Sequence, residues 1–185
     1  MPNIAFFVDG LTEQLFLDRI CRGYTIRRIG LNGNTVSLDA IVKRVSANII
    51  ELNNRNYPII IIIDREKRAE TWEQIKDYLE CRLRSLFQNL EIMVFVCDIM
   101  IENWMLFDTE NLIAYIEECS PPELDTINGR SGKKIMKALK KDYHETTDGV
   151  SLLFNMRPSI VRLHCPSFNC LFEALSGLEC SWLSK

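Results

Sequence analysis

At 185 residues and 47% hydrophobic content, the chain is long enough for one packed domain and short for two. A formal net charge of −3, from 22 basic and 25 acidic residues, excludes a uniformly basic nucleic-acid coat but leaves room for a local basic face. No apolar run reaches the ~18 residues of a bilayer span, and Met1 to Asp9 lacks the basic flank and cleavage site of a signal peptide. The expectation is a cytoplasmic protein with no membrane partner.

In chain order, Ile4 to Val8 reads as a short apolar strand ending at Asp9-Gly10, with Thr12 as N-cap of a helix through Glu13, Leu15, Phe16 and Ile20. Tyr24 to Leu31 alternates as a second strand, with a turn at Asn32-Gly33-Asn34; Ser37 or Leu38 opens a helix to about Asn54. The third strand is the centre of the pattern. Ile59 to Ile63 are five consecutive isoleucines running into Asp64-Arg65-Glu66, a β-branched run suited to a strand buried on both faces of a parallel sheet. Glu70 to Leu90 then places Trp72, Ile75, Leu79, Leu83 and Leu86 on one helical face, and Glu91 to Val96 is a fourth strand ending near Cys97-Asp98.

Repeated strand–helix alternation predicts an α/β fold with a mostly parallel four-stranded sheet flanked by helices over residues 1–108. Beyond this, residues 109–185 read as a helical C-terminal cap on the same structural unit. Helices are expected at Ile101 to Phe107, Thr109 to Glu118, Gly132 to Tyr143 and Phe168 to Leu175, with a loop at Ser120-Pro121-Pro122 and a turn at Asp148-Gly149. The seven cysteines, an odd and scattered set (Cys21, Cys81, Cys97, Cys119, Cys165, Cys170, Cys180), read as reduced thiols.

Acidic pairs recur at strand ends: Asp9 with Glu13, Asp64 with Glu66, and Asp98 with Glu102. Open α/β sheets bind ligands beyond the carboxyl ends of their strands. Crowded oxygen ligands of one charge suit a hard divalent cation such as Mg²⁺ or Mn²⁺. Read singly, each pair is equally well a solvated loop charge or a helix cap; three at one sheet edge favour a metal site.

These residues resemble a known family. Phe7-Val8-Asp9-Gly10-Leu11-Thr12-Glu13 is similar to the Val-Glu-Gly-x-Thr-Glu motif of Toprim domains, especially those of overcoming-lysogenization-defect (OLD) nucleases and their small stand-alone relatives. Ile63-Asp64-Arg65-Glu66 is similar to the second Toprim motif, Asp-x-Asp, with Glu in the last position. Ile101 to Asp108, Arg157-Pro158-Ser159 and Cys165-Pro166-Ser167-Phe168 resemble segments of stand-alone Toprim-like proteins of bacterial defence and mobile-element loci.

The resemblance implies a Toprim-like, Rossmann-like fold and Mg²⁺- or Mn²⁺-dependent phosphodiester hydrolysis on DNA or RNA. Asp9 stands where these enzymes carry a Glu, one methylene longer. Glu13 matches the second acid, Asp64 and Glu66 the metal-binding pair, and Glu102 a further acid. Lys133 or Lys134 corresponds to a lysine that stabilises the transition-state oxyanion. Two other readings stand beside the nuclease: a non-catalytic interaction module working with a partner ATPase, and a phosphatase or nucleotide-processing enzyme. Homo-oligomerisation is left open.

Basic residues at Arg65, Lys67 and Arg68, and from Arg130 to Lys141, are candidates for phosphate neutralisation, or else line solvated faces. Gly129-Arg130-Ser131-Gly132-Lys133-Lys134 lacks the spacing of a nucleotide-binding P-loop, so any ATPase is a separate chain. His144, His164, Cys165 and Cys170 do not have zinc-ligand spacing. Trp72, Trp104 and Trp182 read as packing residues, Trp104 anchoring the cap on the sheet.

Overall fold

The isoleucine run forms β3 (Ile59–Asp64), and all five isoleucines are 2% exposed or less. Burying each such side chain stabilises the fold by about 2 kcal/mol. The computed structural model of the chain describes residues 3–31, 36–53, 55–176 and 178. β3 lies inside a four-stranded sheet with β1 (Ala5–Val8), β2 (Thr25–Arg28) and β4 (Ile92–Cys97), in the order β2-β1-β3-β4. Every pairing is parallel, with Val8 opposite Ile62 and Asp64 opposite Cys97. The chain therefore leaves β1 toward one sheet edge and returns past it to β3, so the topological switch point lies between β1 and β3.

Strand periodicity divides the core in two. Phe7, Ile59, Ile61, Ile63, Val94 and Val96 pack against α2 (Leu38–Glu51) and α3 (Trp72–Leu86). Phe6, Val8, Ile60, Ile62 and Cys97 share the other cluster with α1 (Leu11–Ile20) and the C-terminal helices. These are α4 (Glu102–Leu106), α5 (Thr109–Tyr115), α6 (Gly132–Leu139), α7 (Val150–Asn155), α8 (Pro158–His164) and α9 (Pro166–Leu175). Even-numbered β3 residues face the cap, and Asp64 continues that alternation.

Three side chains fasten the cap. Trp104, 1% exposed, meets Phe168 edge to face at 5.1 Å between ring centroids, and its neighbour Asn103 binds the start of α6 through Gly132 N (3.0 Å) and Arg130 O (2.8 Å). Asp108 is fully buried and accepts from Asn111 N, Arg157 N, and Arg157 Nε and Nη2, the last at 2.6 Å.

Several expected boundaries move. Thr12 lies inside α1, whose N-cap is Gly10, because the Glu13 side chain returns to accept from Gly10 N at 3.1 Å. α3 starts later than expected, at the Thr71–Gln74 capping box, and ends at Leu86. α6 stops at Leu139, where Lys140 turns extended and Tyr143 folds into the core. The turn expected at Asp148-Gly149 is a π-helical turn over Glu145–Gly149, held by Asp148 accepting from His144 N and Tyr115 Oη, both at 2.8 Å. The expected turn at Asn32-Gly33-Asn34, the helix end at Asn54, and Cys180 and Trp182 lie outside the described residues.

Cys81, Cys97, Cys119, Cys165 and Cys170 are free thiols. Cys21 is disulfide-bonded, which corrects the reading of all seven cysteines as reduced: an odd count rules out complete pairing, not one pair. Among the described residues no helix is long and apolar enough to cross a membrane.

Candidate functional site

The carboxyl ends of β1 and β3 place Asp9 and Asp64 on either side of the switch point. Asp64 N donates to Asp9 Oδ2 at 3.4 Å, so the shorter Asp9 side chain sits back on the strand end. Asp64 Oδ1 accepts from Ile101 N at 2.9 Å, tying the loop before α4 to β3. The capping bond to Gly10 N holds Glu13 at the start of α1, and Glu102 opens α4; each is 5% exposed. Glu66 is carried beyond β3 on a left-handed backbone (φ 55°), its N–H donating to Ile99 O at 2.6 Å. Ile99 is left-handed too (φ 69°). A β-branched residue in that region costs about 1–3 kcal/mol, the kind of strain that accumulates at functional sites.

Asp9, Glu13, Asp64, Glu66 and Glu102 line one cleft of about 380 Å³ together with Thr12, Met100, Lys133 and Glu145. Six carboxylates and one ammonium thus face a single space. Burial raises the Asp9 carboxyl to about 6, and the charge of Glu66 adds to this, while the Asp64 N–H pulls the other way. Burial likewise raises Glu13 to about 7, with repulsion from Glu102 and Asp9 behind it. Asp64 is pushed well above the ordinary carboxylate range by burial and then by Glu13, Glu102 and Asp9; a bond from the buried Cys97 thiol only partly offsets this. Burial and repulsion from Glu145 raise Glu102 against the pull of Lys133. A hydrogen bond to Glu145 raises Lys133 in turn, the two groups meeting at 2.5 Å.

Such a cluster holds protons or a cation at neutral pH. The donors are all hard oxygens, the chemistry that suits Mg²⁺ or Mn²⁺. Among the described residues no three His, Cys, Asp or Glu side chains are gathered at metal-ligand spacing: Asp9, Asp64 and Glu13 are each turned toward a backbone N–H.

The structure separates residues the sequence leaves equivalent. Lys133 faces the acid cleft, whereas Lys134 faces a neighbouring one. Asp98, expected to act with Glu102, stands apart from the cleft and accepts from Arg65 Nε at 2.8 Å. Arg65 is thereby turned away from the carboxylates. Glu145 was not anticipated: it lies some forty residues beyond the last strand-end acid, and only the π-helical turn brings it to Lys133. No local spacing signal marks it. Thr12, read from the sequence as a helix cap, enters the cleft with α1.

A family model described as "Domain of unknown function (DUF4276)" matches residues 8–176, a span containing every residue of the cleft. No curated protein and no solved structure matches the chain.

Proposed function

The chain belongs to the family described as Domain of unknown function (DUF4276), and from the acid cleft within the matched span we propose a metal-dependent nuclease that hydrolyses phosphodiester bonds of nucleic acid. The observation that carries this reading is the convergence of Asp9, Glu13, Asp64, Glu66 and Glu102 on one cleft at the switch point. Burial raises the proton affinities of Asp9, Glu13, Asp64 and Glu102, so these four favour a cation over remaining bare.

Asp9, Glu13, Asp64 and Glu102 would hold Mg²⁺ or Mn²⁺, with Glu66 at the cleft edge. What such an ion supplies when bound is neutralisation of phosphate charge and activation of an attacking water. Lys133 extends into the same cleft, where its ammonium, kept protonated by Glu145, meets charge developing on a phosphoryl oxygen. Asp9 and Glu13 have proton affinities near neutral pH without a cation, so loading the ion would displace their protons and leave both as ionised ligands. The Toprim resemblance supports the same chemistry, and a setting in anti-phage defence or a mobile element, with a partner ATPase, comes from that resemblance.

A second reading, a non-catalytic module, is favoured by the carboxylates being turned to backbone donors rather than gathered as ligands. The orientation of Arg65 toward Asp98, which leaves the cleft unplugged, favours the nuclease. The deciding experiment is cleavage of labelled single- and double-stranded DNA and RNA with Mg²⁺ or Mn²⁺. The nuclease predicts metal-dependent cutting by wild type that Asp64→Asn and Glu13→Gln both abolish. A folded wild type that cuts none of these substrates overturns it.

A further inference from the structure

Beside the acid cleft, and sharing Glu66 with it, opens a second cleft of about 620 Å³. The two differ sharply in charge. Arg65, Lys67 and Arg68, from the loop after β3, line one side of the second cleft, and Arg130 and Lys134, from the start of α6, line another. Lys67, Arg130 and Lys134 are exposed, and among the described residues none of the three is in an ion pair. Among the described residues, the Arg130 side chain donates to the Thr126 carbonyl alone, at 3.5 Å. In a chain of net charge −3, cations left without ion pairs around one cleft, next to six carboxylates, create a local field of opposite sign to the rest of the molecule.

The second cleft is also apolar between its cations. Ile99 and Ile135 are buried there, and Leu139 is partly so. Its volume lies within the ~300–1,000 Å³ of small-ligand sites. Cations flanking an apolar recess match a nucleotide, whose phosphate is an anion and whose base has an apolar face. A duplex keeps its bases stacked inside and presents phosphates and groove edges instead, so it would engage the cations and gain nothing from the recess. An unpaired strand can give up a base to the recess and a phosphate to the rim.

We infer that this basic recess seats an unpaired nucleotide next to the phosphodiester held in the acid cleft, making the substrate a single-stranded region of nucleic acid. This rests on the nuclease reading for the role of the acid cleft. The strand would cross Glu66, whose left-handed backbone places it on the wall between the two clefts. Phosphate contacts of Lys67, Arg130 and Lys134 carry affinity without sequence preference.

Binding is tested apart from cutting by fluorescence anisotropy in EDTA. The probes are short labelled single strands of DNA and of RNA and their matching duplexes; the proteins are wild type, Arg130→Glu/Lys134→Glu and the charge-preserving Arg130→Lys/Lys134→Arg. Both positions are exposed, and thermal unfolding verifies that each variant folds. Wild type is expected to bind at least one single strand ~tenfold or more tightly than its duplex. Charge reversal should weaken binding ~tenfold or more and lower the salt slope by about 1.4, at ~0.7 per phosphate contact on a single strand; the charge-preserving variant should bind like wild type. Absent single-strand binding, equal affinity for duplex, or indifference to charge reversal each overturns the inference. Its failure is distinct from that of the nuclease reading: the expected binding without cutting on addition of Mg²⁺ or Mn²⁺ sinks only the latter, and cutting without this binding pattern sinks only the former.

Discussion

Replacing Glu13 by glutamine should stabilise the metal-free protein at alkaline pH, contrary to the usual effect of changing a buried polar residue. The folded-state carboxyl titrates near 7 against an ordinary 4.5. Below 4.5 the group is protonated whether the chain is folded or not, and it contributes nothing to pH dependence. As pH rises from 4.5 to 7 the unfolded chain ionises first, so stability falls, and above 7 the loss is complete. At ~1.4 kcal/mol per tenfold difference in proton affinity, the full loss is about 3 kcal/mol. Glutamine keeps the oxygen that accepts from Gly10 N and removes the charge that Asp64 meets. The expectation is no change at pH 4 and a gain of about 2 kcal/mol at pH 8, or ~4–8 °C in Tm for a chain of this size. Thermal and urea unfolding in EDTA across this range measure it. A Glu13→Gln variant less stable than wild type at pH 8, or one whose pH profile parallels wild type, would refute the reasoning.

Other elements make their own predictions. A Cβ at Gly132 would stand 2.6 Å from Asn103 N and 2.7 Å from the Glu102 carbonyl carbon; because both are backbone, Gly132→Ala should lift α6 from α4 and cost about 2–3 kcal/mol in urea unfolding. A Cβ at Gly149 would meet the buried Tyr143 hydroxyl at 2.6 Å, and that hydroxyl has no hydrogen-bond partner among the described residues. Tyr143→Phe should therefore be neutral or stabilising by up to ~1 kcal/mol, and should rescue much of the loss caused by Gly149→Ala, as a double-mutant cycle will show. Burial alone would raise the Asp108 carboxyl, but the bonds from Arg157 and from backbone N–H groups outweigh it and hold it below the ordinary value. Its contribution is present above the unfolded-state value near 3.8 and is lost as pH falls through the folded one. Arg157→Met, which strands that fully buried carboxylate, should cost about 2–3 kcal/mol at pH 7, reduced at the acid end.

The sheet was legible because its signal is local. Five isoleucines in a row admit few alternatives to a doubly buried strand, and the intervening amphipathic helices imply parallel crossovers. The strand-end acids Asp9 and Asp64 could be placed for the same reason. What sequence could not supply was chosen by tertiary geometry. Asp98 and Glu102 have the same spacing signal, yet Arg65 takes one and α4 delivers the other to the cleft. Lys133 and Lys134 are adjacent on α6, and only the 100° turn between successive helical residues sends them to different clefts. Glu145 was invisible because a π-helical turn has no simple apolar period, and more than forty residues, three helices among them, separate it from the last strand-end acid. Thr12 looked like a cap because threonine commonly is one; the Glu13 side chain had already satisfied the helix start.

The most direct test of the central claim is calorimetric titration of the wild-type protein with Mn²⁺ at pH 6 and at pH 8. If the acid cleft is the cation site of a phosphoryl-transfer enzyme, binding should be tighter at pH 8. At pH 6, with Asp9 near 6 and Glu13 near 7, it should release protons, visible as a heat that changes with the ionisation enthalpy of the buffer. Folded protein that takes up no Mn²⁺ at either pH, or binds it with no dependence on pH or buffer, would contradict the account.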